Sequence, residues 1–130
     1  IIRISKAFDY EWMRPTLDTL QVTPIEFPTF IKRSFVYTPH LVEGISYIAE
    51  NNIDVKLLHI AGMDTLSYFD FWLQASRILG LDEQRIIGRT HEIEDYPRPF
   101  RGGLGVRRAK KLGVPLYSVI DGMKLIKENM

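Results

Sequence analysis

At 130 residues and 15.1 kDa, with 45% hydrophobic and 25% charged residues, the sequence is one domain's worth of an ordinary globular chain and not a disordered one. A formal charge of +1 argues against a dedicated polyanion binder, and the lack of cysteine excludes a disulfide framework, a thiolate zinc site and a thiol nucleophile. No apolar run approaches the roughly 18–20 residues of a membrane span, and Ile1-Ile-Arg-Ile4 lacks the layout of a signal peptide, so a reducing cytoplasm is the expected compartment.

The chain opens without Met in a β-branched run, which reads as the middle of a longer polypeptide. Residues 1–4 suit a buried strand end and 5–9 a loop leaving it. A short helix is predicted over 11–21, with Pro15 tolerable only near its first turn. Residues 27–37 are aromatic and β-prone, and Pro28 keeps their start out of a central strand.

From Pro39 the pattern turns helical: Leu41, Val42, Ile45, Ile48 and Ala49 recur at helix spacing, with Thr38 as the expected N-cap and Asn51-Asn52 as the end. A strand over 55–60 and a turn over 61–64 follow. Ser67 and Asp70 have the spacing of a capping box ahead of Phe71, Trp72, Ala75, Ile78 and Leu79, with Gly80 as the stop. Asp82 caps one further turn into Ile86, and 87–93 reads as extended. A second short helix is predicted over 106–112, closed by Gly113. Ser118 and Asp121 cap a last one running to Glu128. Strands alternating with helices predict a mixed α/β or α+β fold.

Nucleophilic catalysis has no support, since there is no Gly-x-Ser-x-Gly elbow. His40, His59 and His91 are too scattered for a metal site and read as structural. The acidic run Glu92, Glu94 and Asp95 alternates as a solvated edge does. Charge is the better signal: between Tyr96 and Ile120 there are six Lys/Arg and no Asp or Glu. Arg107, Arg108, Lys110 and Lys111 read as a solvated helix face. Arg98 and Arg101 sit in a Pro/Gly loop, where guanidinium forks match phosphate oxygens. The glycines Gly102, Gly103 and Gly105 offer close backbone approach at the mouth of the 106–112 helix, whose first N–H groups favour an anion. A small anion suits this patch better than a nucleic acid, although Phe100 or Tyr96 could stack a base.

Three ordered segments together resemble the C-terminal half of the extended short-chain dehydrogenase/reductases, in the dTDP-4-dehydrorhamnose reductase branch. The first is Ile2-Arg-Ile-Ser-Lys-Ala-Phe8 and the second Arg33-Ser-Phe-Val-Tyr-Thr-Pro-His-Leu-Val42. The third combines Leu58-His-Ile-Ala-Gly62, Ser67-Tyr-Phe-Asp-Phe71, Leu79-Gly-Leu81, Arg98-Pro99 and Ala109-Lys-Lys-Leu-Gly-Val-Pro115.

The resemblance implies an α/β chain forming the C-terminal part of a Rossmann-type reductase. Residues 1–130 would be a small mixed α+β substrate-binding lobe, with 1–9 the end of a Rossmann strand and its following loop. It implies NADPH or NADH, held mainly by an N-terminal Rossmann domain outside this sequence, and a dTDP-sugar whose C4 ketone is reduced on the way to dTDP-rhamnose. It places Arg3 and Ser5 at the strand end passing the nicotinamide. Lys6 takes the place of a frequent Trp against the sugar or base, and Arg33, Arg98 and Arg101 fall around the substrate. Pro39 and His40 replace acidic residues common at that helix entry, so His40 caps or packs.

The family's Tyr-x-x-x-Lys pair has no counterpart among the six tyrosines, so no residue here is assigned to catalysis and the chain alone is expected to be inactive. Family homodimers pair through helices near the junction of the lobes. Two alternatives remain open: a nucleotide-sugar epimerase or dehydratase, or a non-catalytic interaction module using residues 68–72 as an interface.

Overall fold

The computed structural model describes residues 2–54, 58–90, 101–102 and 106–130, with residues 2–3 and 101–102 described by their backbone. Three pairs of short strands run parallel. β1 (Ile2–Arg3) pairs with β6 (Leu58–His59), β2 (Lys6–Phe8) with β5 (Phe35–Tyr37), and β3 (Ile25–Pro28) with β8 (Ile86–Arg89). A further sheet has β4 (Lys32–Arg33) at its centre, antiparallel to β7 (Leu66–Ser67) and parallel to β9 (Arg101–Gly102). Parallel neighbours need long crossovers, and helices occupy them, so the class is the expected mixed α/β.

Residues 6–8 correct the expected loop. They form a strand because their partners lie in β5, with Lys6 facing Phe35 in register, and no local periodicity announces such a pairing. Helix α1 (Tyr10–Leu20) starts where the Asp9 carboxylate accepts the Trp12 N–H at 2.8 Å. Pro15 lies inside it, beyond the first turn in which alone it was held tolerable, and the helix continues because Met13, Leu17 and Leu20 are buried against the core.

Helix α2 (Thr38–Glu50) corrects the N-cap assigned to Thr38. Tyr37 holds that position without a side-chain cap, and the Thr38 hydroxyl reaches back to the Phe8 carbonyl and the Asp9 carboxylate, both at 3.2 Å. Thr38 thereby fastens two helix starts together, and Pro39 fills an early position whose N–H would have no partner.

Helix α3 (Tyr68–Leu79) follows its sequence signals: the Ser67 hydroxyl accepts the Asp70 N–H at 3.0 Å, and Gly80 closes it at φ 77°. Asp82 caps a 3-10 turn (Glu83–Arg85) through the Gln84 N–H. Helix α4 is shorter than expected (Arg107–Lys111) and ends at Gly113, whose φ is 80°. Helix α5 (Val119–Glu128) begins with a reciprocal capping box of Ser118 and Asp121. Of the extended stretch expected over 87–93, β8 ends at Arg89, and residues 91–93 lie outside the described residues. So do 55–57 of the strand expected over 55–60.

Two apolar clusters hold these elements. The larger gathers Phe8, Met13, Phe27, Phe35, Phe71, Trp72 and Met123 among its buried members, so α3 lies between the sheets, α1 and α5. Phe71 stacks on Phe35 at 4.3 Å and meets Phe8 edge-on at 5.1 Å, while Trp72 stacks on Phe27 at 5.5 Å. Each such ring contributes about 1.5–3 kcal/mol by burial, and edge or offset contacts add to it. Phe71 and Trp72 are therefore core, which removes them from the interface alternatively assigned to residues 68–72. The smaller cluster is Leu58, Ile60, Ala109 and Val114, joining β6 to α4 beneath α2. No helix among the described residues is long and apolar enough to cross a membrane.

Candidate functional site

In parallel α/β sheets the carboxyl ends of the strands open onto the ligand crevice, because the helices cross back behind them. The carboxyl ends of β1 and β6 lead into Ser5 and into the loop 61–65, and the two meet through Ser34. The Ser34 N–H donates to the Ser5 hydroxyl at 3.1 Å, and the Ser34 hydroxyl shares a 3.0 Å hydrogen bond with Thr65. Ser34 is 1% exposed, whereas Thr65 faces solvent. Three hydroxyl side chains thus gather where β1–β2, β4–β5 and β7 adjoin.

Cations border this cluster. Lys32 and Arg33 immediately precede Ser34; Lys32 is in register with Arg101, and Arg33 with Gly102 on one side and Leu66 on the other. Two of the expected substrate residues, Arg33 and Arg101, therefore lie on neighbouring strands one register position apart. Arg33 donates from Nη1 to the Lys32 carbonyl at 2.8 Å. The ammonium of Lys6 lies 4.6 Å from the Trp12 ring centroid, a cation–π contact at the edge of the large cluster. Arg3 is in register with His59 at the end of β1. Arg98 lies outside the described residues, as do Gly103, Gly105 and the acidic run 92–95. The anion-favouring helix mouth expected near Val106 belongs to a helix of five residues, too short to develop much of a dipole.

The loop 61–65 is fixed at successive residues. A side chain at Gly62 would collide with the Phe35 carbonyl oxygen, the Met63 N–H donates to the Tyr117 carbonyl at 3.0 Å, and the Asp64 carboxylate accepts the Val119 N–H at 3.1 Å. Sequence reasoning missed Ser34 and Thr65. Their partners are 29 and 31 residues away, and an isolated Ser or Thr has no motif.

His40 packs, as its sequence context implied. Its imidazole stacks on Tyr117 at 3.9 Å and meets Tyr37 edge-on at 5.1 Å, and the Tyr117 hydroxyl donates to Glu43 at 2.7 Å. Burial pushes the imidazole below its ordinary value of 6.5, opposed by the charges of Glu43 and Asp121. The Tyr117 phenol is raised, first by its bond to Glu43. Among the described residues no three His, Asp or Glu side chains converge as a metal site would require.

No family model matches the sequence, and no curated protein matches it. Solved structures do. A dTDP-4-dehydrorhamnose reductase from Yersinia enterocolitica is similar over 98% of this chain with a TM-score of 0.77 at 16% identity, and one from Bacillus anthracis in complex with NADP over 99% with 0.76 at 11%. A UDP-glucuronic acid 4-epimerase from Bacillus cereus, in complex with UDP-glucuronic acid and NAD, is similar over 98% with 0.66 at 17%. The likeness covers 48%, 45% and 43% of those chains, so this chain spans less than half their length. The fold is that of a part of the Rossmann-type extended short-chain dehydrogenase/reductases.

Proposed function

We propose that this chain is the nucleotide-sugar-binding portion of an NAD(P)H-dependent reductase of the dTDP-4-dehydrorhamnose reductase kind, reducing the C4 ketone of a dTDP-keto-sugar beside a dinucleotide-binding lobe of the same polypeptide. The observation that supports it is the similarity along 98–99% of the chain to two reductases, with TM-scores of 0.77 and 0.76. The carboxyl edge of β1 and β6, with Ser5 held by Ser34, suits one wall of such a site.

A nicotinamide cofactor, NADPH or NADH, would supply the hydride in the complete site. This chain's part is binding and orientation. Arg33 and Arg101, with Arg98, attract and align the diphosphate, and alignment itself contributes to rate by making the encounter effectively unimolecular. No Tyr-x-x-x-Lys pair is present, so the proton for the reduced oxygen comes from the other lobe.

Calorimetry with dTDP-glucose at low and high salt, comparing the wild-type chain with an Arg33→Ala/Arg101→Ala variant, tests the reading. Binding that weakens with salt and disappears in the variant is expected. If dTDP-glucose binds neither this chain nor a chain joined to a dinucleotide-binding lobe, the reading is wrong and an interaction module takes its place.

A further inference from the structure

Thr65 gains its interest from its surroundings. The residue is exposed, yet its hydroxyl is oriented by a partner at 3.0 Å, Ser34, which is itself 1% exposed. A hydroxyl has one donor and two acceptor sites, and either hydroxyl can donate in this bond, so with Ser34 as the donor the Thr65 proton stays available to a ligand. Surface loops ordinarily leave such a group to wander. Here Gly62, Met63 and Asp64 are each fixed against Phe35, Tyr117 and Val119, so the loop delivers the Thr65 hydroxyl to one position. A group fixed before binding loses little entropy on binding.

Its place in the fold indicates what it meets. Thr65 follows β6 on the carboxyl side of the β1–β6 pair. Leu66 is in register with Arg33, so the Ser34–Thr65 pair, one position further on, shares the alternate face with Lys32, which is in register with Arg101. An oriented hydroxyl beside a cation-bearing sheet is complementary to a phosphoryl group, which offers oxygens as acceptors and carries the matching charge.

We propose that Thr65 is a ligand-binding residue that donates its hydroxyl proton to a phosphoryl oxygen of the anionic ligand attracted by Lys32, with Ser34 as the positioning residue behind it. Identifying that ligand as a nucleotide-sugar rests on the functional reading above; the phosphoryl contact does not.

The test is calorimetry with two probes, inorganic pyrophosphate and dTDP-glucose, on the wild-type chain, Thr65→Val and Thr65→Ser, with thermal melting of each. Valine keeps the shape and removes the hydroxyl, and serine restores it. A hydrogen bond to a charged group corresponds to roughly tenfold or more in affinity. Thr65→Val should therefore bind both probes about tenfold more weakly while still melting cooperatively, and Thr65→Ser should return close to wild type. Pyrophosphate binding that is equal in wild type and Thr65→Val, or missing from the wild type, overturns the proposal. Pyrophosphate binding that depends on Thr65, with dTDP-glucose bound no more tightly, keeps the Thr65 contact and overturns the nucleotide-sugar reading instead.

Discussion

A missing side chain can be required or merely tolerated, and two glycines separate the cases. A Cβ at Gly62 would strike the Phe35 carbonyl oxygen, part of a backbone that cannot swing aside. A Cβ at Gly44, inside α2, would meet Ile60 and Val114 side chains at an ordinary 3.5 Å. Gly62→Ala should therefore destabilise by about 1–3 kcal/mol, as overpacking does. Gly44→Ala should stabilise by about 0.5–1 kcal/mol through helix propensity. Urea midpoints of the two variants, moving in opposite directions from wild type, check this.

His40 makes a prediction of a different kind at the same scale. Burial holds its folded pKa below the ordinary 6.5, so below about that pH the unfolded chain takes up a proton that the folded chain resists. Its contribution is present above the unfolded value and is lost as pH falls toward the folded one. The facing groups are Tyr37 ahead of α2, Glu43 on α2, Tyr117 beside it and Asp121 on α5, and the two carboxylates limit the shift. A His40→Phe variant should lose less stability than wild type between pH 7.5 and pH 5, roughly the window in which an imidazole near 6.5 titrates. Parallel acid-side declines would place the effect on other groups.

Among the elements, the helix starts are chemically distinct and should respond differently to the loss of one oxygen. Ser67 is buried and caps α3, the helix at the centre of the large cluster, while Ser118 is half-buried in a reciprocal box at the start of α5. Ser67→Ala should cost about 1–2 kcal/mol, at the upper end for a cap because the hydroxyl that the Asp70 N–H bonds belongs to a buried residue. Ser118→Ala should cost about 1 kcal/mol or less, since water can replace the hydroxyl. Both backbone and side-chain bonds from Ser118 hold the Asp121 carboxyl below its usual range, so that variant should also lose part of its dependence on pH as acid is added.

These caps were also the most legible features of the sequence. Ser67, Gly80, Asp82, Gly113 and Ser118 act within a few residues of themselves, and short-range chemistry leaves short-range signals. The Lys6–Phe8 strand and the Thr38 hydroxyl had no such signal, because their partners are about 30 residues away. The candidate site divides in the same way. Arg101 stood out by charge and Arg33 through the family resemblance, while Ser34 and Thr65 became visible only once three strands were brought together.

Across the whole molecule, stability is divided unequally between the two apolar clusters. Among the described residues the larger gathers thirteen buried ones from both ends of the chain, with α3 and α5 packed against each other. The smaller has four among the described residues, of which Ala109 is the one that anchors α4, five residues long. Opening α4 exposes little apolar surface, whereas opening α3 exposes Phe71, Trp72 and the rings stacked on them. Local opening free energies follow that exposure. Hydrogen exchange should therefore find the amides of α3 slowest, near the limit of global unfolding, with α4 faster by orders of magnitude. Val114→Ala, which removes apolar contacts of the smaller cluster, should speed exchange in α4 and β6 while leaving α3 at its wild-type rate relative to global unfolding. Uniform protection across α3 and α4 would mean that the clusters open as one unit. A separable second cluster would instead leave the β6 end of the candidate site free to adjust while the rings around α3 stay packed.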